Sequence, residues 1–221
     1  MVSAAWSGTR VLAGSHATKD SVLDAWAHAP RIYVAAHVAH VPEIPFLTFV
    51  PLAVPEGADE SRAYLEIKDV RSLDLSGCEL SVLSACASGA PYVERGRVAP
   101  SLGDAFLDAG ARAVVQTFLP LSDADASRFA TRFLTRWDGG REDVVRALNL
   151  ARREDLIGTG RAVDPAAWAT WSVSVRGVPA AIRASGSSSR TMALGTPHPQ
   201  PISAIPARYS ALARSRRRTA K

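Results

Sequence analysis

Two side chains with the chemistry of nucleophilic catalysis follow two short apolar segments of the chain. His37 ends the segment Arg31–His37, and Cys86 directly follows the segment Glu79–Ala85. Segments of this length and apolarity are typical of buried strands, and open parallel sheets form their sites where strands end. If the two strands are neighbours, an imidazole and a thiol meet at one edge of the sheet. The histidine can then activate the cysteine as a nucleophile.

The elements that would hold these residues alternate between strand and helix. Helical spacing and capping residues predict helices near 19–28, 68–73, 102–109, 123–137 and 142–153. Bounded apolar runs predict strands near 31–37, 79–85, 112–118 and 171–175. Two more strands, at 46–54 and 63–67, flank an acidic turn and predict an inserted β-hairpin. This order is typical of an α/β protein with a mainly parallel sheet.

The basic charge of the chain is concentrated at its carboxyl-terminal end. The 221 residues contain 26 Lys and Arg against 21 Asp and Glu, which gives a net charge of +5. Eight of the basic residues and no acidic residue lie in 183–221, so residues 1–182 carry a net charge of −3. This distribution argues against a nucleic-acid-binding face on the fold. We expect a domain over 1–178 and a disordered basic tail, rich in Ser and Pro, over 179–221.

Cysteine usage and hydropathy limit the class of protein further. Cys78 and Cys86 are too few for a disulfide scaffold. We expect neither a signal peptide nor a membrane span, because the N-terminal residues lack an apolar core and no apolar run approaches the roughly 20 residues that a span needs. We therefore expect a cytoplasmic protein with reduced thiols, in which Cys78 is a core residue. The histidines and cysteines lack the paired spacing of zinc ligands, so we expect no metal and no other cofactor.

Several segments, in order along the chain, resemble one known family. His37 precedes Cys86 by 49 residues, and a histidine about 50 residues before an Ala-Cys pair is typical of caspases. The sequence is similar over about 9–177 to the CHAT domain, a caspase-like peptidase module often attached to tetratricopeptide repeats. The resemblance implies a caspase-like three-layer α/β fold. The segments that carry it are GSHAT (14–18), RIYVAAHV (31–38), LSVLSACASG (80–89) and SLGDAFLDAGARAVV (101–115).

The resemblance implies cysteine-peptidase activity on a protein or peptide substrate. It places His37 on the family's catalytic histidine and Cys86 on its nucleophile. The backbone N–H groups of Val38 and Cys86 would hold the oxyanion. Ser88 and Glu94, by position alone, are candidate substrate contacts in the segment after the cysteine.

Departures from the family pattern keep a second hypothesis open. Val38 stands where the family has glycine after the histidine, and about two strands that usually precede the GSHAT-like segment are missing. An uncovered sheet edge exposes unpaired backbone groups, so we expect a partner chain or a further N-terminal segment to complete the sheet. The second hypothesis is a catalytically weakened module that acts as a scaffold or interaction element of a larger assembly.

Two further alternatives concern single features of the chain. His40, three residues after His37, is the alternative imidazole. The arginine run at 214–218 could contact nucleic acid through phosphates. A solvated extension is the favoured interpretation of that run, so we do not expect nucleic acid as a partner.

Overall fold

Strands and helices alternate along the described chain. The computed structural model describes residues 6, 8–40, 47–85, 88–90, 92–94, 97–157 and 165–177. The strands are β1 (Arg31–Ala35), β2 (Ala39–His40), β3 (Thr48–Pro51), β4 (Tyr64–Glu66), β5 (Leu80–Ser84), β6 (Tyr92–Glu94), β7 (Arg97–Ala99), β8 (Ala113–Thr117) and β9 (Trp171–Val175). The α-helices are α1 (Lys19–Ala27), α2 (Ile67–Arg71), α3 (Leu102–Asp108), α4 (Asp123–Trp137), α5 (Val144–Ile157) and α6 (Pro165–Ala169). Apart from Gly177, the described residues belong to one compact unit.

A four-stranded sheet in the order β1-β5-β8-β9 positions the two sequence-predicted strand ends. Strands β1, β5 and β8 run parallel, and β9 lies antiparallel beside β8. Parallel neighbours require crossover connections, and α3 lies in the connection from β5 to β8. The prediction of a mainly parallel sheet flanked by helices is therefore confirmed.

Two small antiparallel sheets accompany the main one. Strands β3 and β4 pair as the inserted hairpin that the sequence predicts, and β2 adds a short third strand. The second small sheet is the hairpin of β6 and β7, which was not predicted from the sequence. Each of these two strands has three residues, which is too short for a period of two to be recognisable in the sequence.

The main sheet separates two hydrophobic clusters, because successive side chains of a strand point to opposite faces. Leu83 and Val114 belong to the first cluster, whereas the adjoining Val82 and Val115 belong to the second. Helices α1, α2 and α3 contribute to the first cluster, and α4 and α5 contribute to the second. The result is a three-layer arrangement with helices on both faces of the sheet. Within the described residues, every helix is too short or too polar to span a bilayer.

Local signals explain where the helices begin. Thr18 precedes α1, and its side-chain oxygen accepts a hydrogen bond from the Ser21 N–H at 3.3 Å. Ser101 and Asp104 form a reciprocal capping box at the start of α3. Such caps satisfy backbone donors that the first helical turn leaves unpaired. The cap of α3 also determines where this helix starts relative to the end of β5.

Candidate active site

Strands β1 and β5 end at the same edge of the main sheet. Arg31 lies opposite Leu80 and Ala35 lies opposite Ser84, so the register offset is 49 residues along the whole pair. The carboxyl ends of two parallel neighbours therefore coincide, and the residues that follow them leave the sheet side by side. This is the edge at which open α/β sheets form sites.

His37 lies two residues beyond the end of β1, and its side chain is exposed. The half-buried side chains of Ala36 and Val38, on either side of it, pack against the first hydrophobic cluster. The backbone between β1 and β2 thus keeps its apolar side chains inward while the imidazole is accessible to solvent. His40, the alternative imidazole, ends β2 and pairs in register with Thr48.

The segment that follows β5 is anchored on both sides of the predicted nucleophile. Cys86 and Ala87 lie outside the described residues, so the catalytic assignment of Cys86 and its N–H stays a prediction. Ala85 before them and Ser88 and Gly89 after them are buried. The Ser88 N–H donates to the Ala85 carbonyl at 3.1 Å, so the described residues on the two sides are bonded to each other.

The two candidate substrate contacts lie in different environments. The Ser88 side chain is only 1% exposed, and its hydroxyl donates to the Leu83 carbonyl at 3.2 Å. Glu94 is the last residue of β6 and pairs in register with Arg97 of β7, so it lies on a strand of the hairpin. Nothing in these positions tests contact with a substrate, and both assignments stay predictions.

Strand β8 contributes residues to this edge that were not predicted from the sequence. Thr117, the last residue of β8, is 1% exposed and contacts the segment after β5 through its hydroxyl and its backbone. Gln116 beside it is 4% exposed, and its side chain lies against Gly89 and Gly103. The available signal was a polar Gln-Thr pair at the end of an otherwise apolar strand, because buried polar groups need specific partners.

Other ionisable groups near the main sheet have shifted pKa values. Burial raises the pKa of the Tyr33 phenol, and a hydrogen bond with the Ser84 side chain partly opposes this shift. Burial also raises the pKa of the Cys78 thiol, whose Sγ lies 3.4 Å from the Ser81 hydroxyl. Cys78 is therefore held as a neutral thiol in the core, which is the environment of an unreactive cysteine.

Other parts of the described chain offer little competing chemistry. Within the described ranges, no group of three or more His, Cys, Asp or Glu could hold a metal ion. A shallow groove runs along α4 and α5, lined by Arg128, Arg132, Arg136 and Glu154. Its arginines form ion pairs with acidic neighbours, and none of the sequence-predicted site residues lines it.

A comparison with protein families identifies the class to which the chain belongs. The profile of the CHAT domain matches residues 2–177, which is most of the chain. The chain is therefore a member of the CHAT domain family, a caspase-like module related to cysteine peptidases. This confirms the family resemblance of the sequence segments. A comparison with curated proteins found no match.

Proposed function

We propose that the chain is a caspase-like cysteine endopeptidase in which Cys86 is the nucleophile and His37 the general acid and base. The register of β1 and β5 carries this proposal, because its offset of 49 residues equals the separation of His37 and Cys86. Neighbouring strands lie about 4.8 Å apart. If the register continues for two residues beyond each strand, the imidazole and the thiol are within reach of each other.

The proposed reaction is hydrolysis of a peptide bond. The Cys86 thiolate attacks the scissile carbonyl carbon, and His37 protonates the leaving amine, which leaves an acyl group on sulfur. Water, deprotonated by His37, then releases the acid and regenerates the thiol. The backbone N–H groups of Val38 and Cys86 hold the oxyanion, and preorganised donors of this kind lower the barrier by a few kcal/mol.

The packing of Val38 supports an open edge at this site. Its side chain packs against the first hydrophobic cluster, whereas the neighbouring His37 is exposed. The valine methyl groups therefore lie on the side of the backbone that faces the hydrophobic cluster, and not on the side where the His37 imidazole is exposed. Ser88 and Glu94 stay candidate substrate contacts by position alone. The polar groups of Ser88 are bonded within the chain: its hydroxyl and its N–H donate to the Leu83 and Ala85 carbonyls, and its own carbonyl accepts from the Gly103 N–H.

Labelling of the native protein with peptide electrophiles tests this proposal. The probes are biotinylated tripeptide acyloxymethyl ketones that differ in the residue next to the ketone, and mass spectrometry maps the modified cysteine. We expect at least one probe to label Cys86 in the wild type. We expect no label at that position in Cys86→Ala and at least tenfold slower labelling in His37→Ala, since general acid–base catalysis contributes about 10²–10⁴-fold.

Two internal controls accompany this experiment. His40→Ala removes the neighbouring imidazole and should leave the labelling rate of Cys86 within about twofold. Cys78 should stay unlabelled between pH 7 and 8 until the protein is unfolded, because its raised pKa keeps it protonated. Equal labelling of Cys78 and Cys86 that is insensitive to His37→Ala would contradict the peptidase and favour a scaffold module.

A further inference from the structure

Thr117 directs all of its polar groups to the segment that contains Cys86. Its hydroxyl donates to the Ala85 carbonyl at 2.7 Å, and its backbone N–H donates to the Ser88 hydroxyl at 3.2 Å. Its carbonyl accepts a hydrogen bond from the Gly89 N–H at 2.9 Å. The end of β8 is therefore bonded to Ala85, directly before the predicted nucleophile, and to Ser88 and Gly89, two and three residues after it.

Ser88 joins the same segment to β5 and to α3. Its hydroxyl donates to the Leu83 carbonyl, and its own carbonyl accepts from the Gly103 N–H at 3.2 Å. Ser88 and Thr117 are each 1% exposed, so water cannot replace a bond that is removed. The two hydroxyls thus bond β5 and β8 to the residues on either side of the predicted nucleophile, and the Ser88 carbonyl bonds α3 to the same segment.

We propose that Thr117 and Ser88 are positioning residues that hold the backbone on both sides of residue 86 and so orient the side chain there toward His37. This inference rests on the proposed function, in which Cys86 is the nucleophile. Orientation of a reacting group before substrate arrives reduces the entropy lost on the way to the transition state. Buried hydroxyls on rigid strands provide such orientation, because their own rotamers are fixed by packing.

Amide hydrogen exchange tests the conformational part of the inference without reference to activity. Thr117→Val keeps the shape of the side chain and removes the donor to the Ala85 carbonyl. We expect the Ser88 and Gly89 amides to exchange about tenfold faster in this variant, as loss of one net hydrogen bond predicts. Thr117→Ser, which retains the hydroxyl, should restore the slow exchange.

The matched control for exchange is Ser81→Ala. Ser81 is fully buried on β5, and its hydroxyl contacts Cys78 at the end of that strand away from Ser88 and Gly89. This variant should leave exchange at Ser88 and Gly89 unchanged. Equal acceleration in Thr117→Val and Ser81→Ala, or no acceleration in Thr117→Val, would overturn the inference.

The rate at which iodoacetamide alkylates Cys86 tests the catalytic part. A free thiol has under about 1% thiolate at pH 6 and is mostly thiolate at pH 9, so only an oriented Cys–His pair reacts readily at pH 6. We expect Thr117→Val to slow alkylation about tenfold at pH 6 and less than about twofold at pH 9. Thr117→Ser should behave like the wild type at both pH values.

The outcomes separate this inference from the proposed function. If Thr117→Val slows alkylation of Cys86 equally at pH 6 and pH 9, the substitution has altered access to the thiol. If it accelerates amide exchange but leaves the alkylation rate at pH 6 unchanged, the hydrogen bonds of Thr117 do not affect the reactivity of Cys86. Either result overturns the positioning role. If His37→Ala leaves the rate of Cys86 alkylation at pH 6 unchanged from the wild type, the proposed function is contradicted, and so is the catalytic part of this inference. The exchange comparison then decides the conformational part alone.

Discussion

Gly89 and Gly103 face the buried amide of Gln116 from two sides. An ideal Cβ added at Gly89 would lie 2.7 Å from Gln116 Cδ, and one added at Gly103 would overlap Gln116 Oε1. Within the described residues, Gln116 Oε1 is buried without a hydrogen-bond partner. Gly89, three residues after the predicted nucleophile, thus leaves the space that the Gln116 side chain occupies.

A double-mutant cycle can test this contact at the scale of single residues. Gly103→Ala should lower the free energy of unfolding by about 1–3 kcal/mol, because the new methyl group forces the buried amide to move. In a Gln116→Ala background the same substitution should be neutral or stabilising by up to about 1 kcal/mol, the difference in helix propensity between glycine and alanine. Urea unfolding of the four proteins measures the coupling. An equal cost in both backgrounds would contradict the proposed contact.

Helices α4 and α5 pack against each other beside an ion pair whose acidic side chain is buried. Arg132 of α4 pairs with Asp155 of α5, whose side chain is fully buried, and also with Glu154. Arg136, one turn further along α4, pairs with Glu154, but both of these side chains are partly exposed. The two arginines therefore offer a matched comparison between a buried and an accessible ion pair on one helix face.

Substitution of each arginine should show how much the two ion pairs between α4 and α5 contribute to the free energy of unfolding. Arg132→Leu leaves the Asp155 carboxylate buried and without its partner, and we expect a loss of about 3–5 kcal/mol in the free energy of unfolding. Arg136→Leu should cost less than about 1 kcal/mol, because water can solvate the exposed Glu154. Guanidinium unfolding compares the two variants. Similar costs for both would show that the buried pair does not hold the helices together.

Over the whole molecule, the family match and the net charge divide the chain at nearly the same place. The CHAT-domain match ends at residue 177, whereas the eight basic residues of 183–221 account for the entire positive net charge. We propose that residues 179–221 form a basic tail that adds little to the stability of the domain. The positive net charge of the 221 residues then gives no indication of the charge of a substrate that binds at the candidate active site.

Truncation after residue 178 tests this division. We expect the Tm of the shortened protein to stay within about 2 °C of the full-length value, which corresponds to less than about 1 kcal/mol. Any binding to a DNA duplex in a gel shift should weaken steeply with salt and disappear on truncation. A full-length variant with the arginines of 214–218 replaced by serine separates charge from length. A Tm lowered by more than about 5 °C would show that the tail is part of the folded core.

The sequence alone determined the kind of element that most described segments form and the place of His37 close to the end of β1. These properties depend on periodicity and capping over a few consecutive residues, such as Thr18 before α1 or the apolar run of β8. The hairpin of β6 and β7 escaped prediction because its strands are too short to show a period. The family resemblance was predictable for a related reason, since it depends on short segments in a particular order.

Only the tertiary structure decided which elements meet and in what register. The 49-residue offset between β1 and β5 depends on how the sheet packs between two hydrophobic clusters, and no local pattern specifies it. Thr117 contacts Ala85 and Ser88 across 32 and 29 residues of chain, and Arg132 reaches Asp155 across 23. Contacts of this kind form when separate elements pack together, so the residues that surround the predicted nucleophile could be identified only from the folded chain.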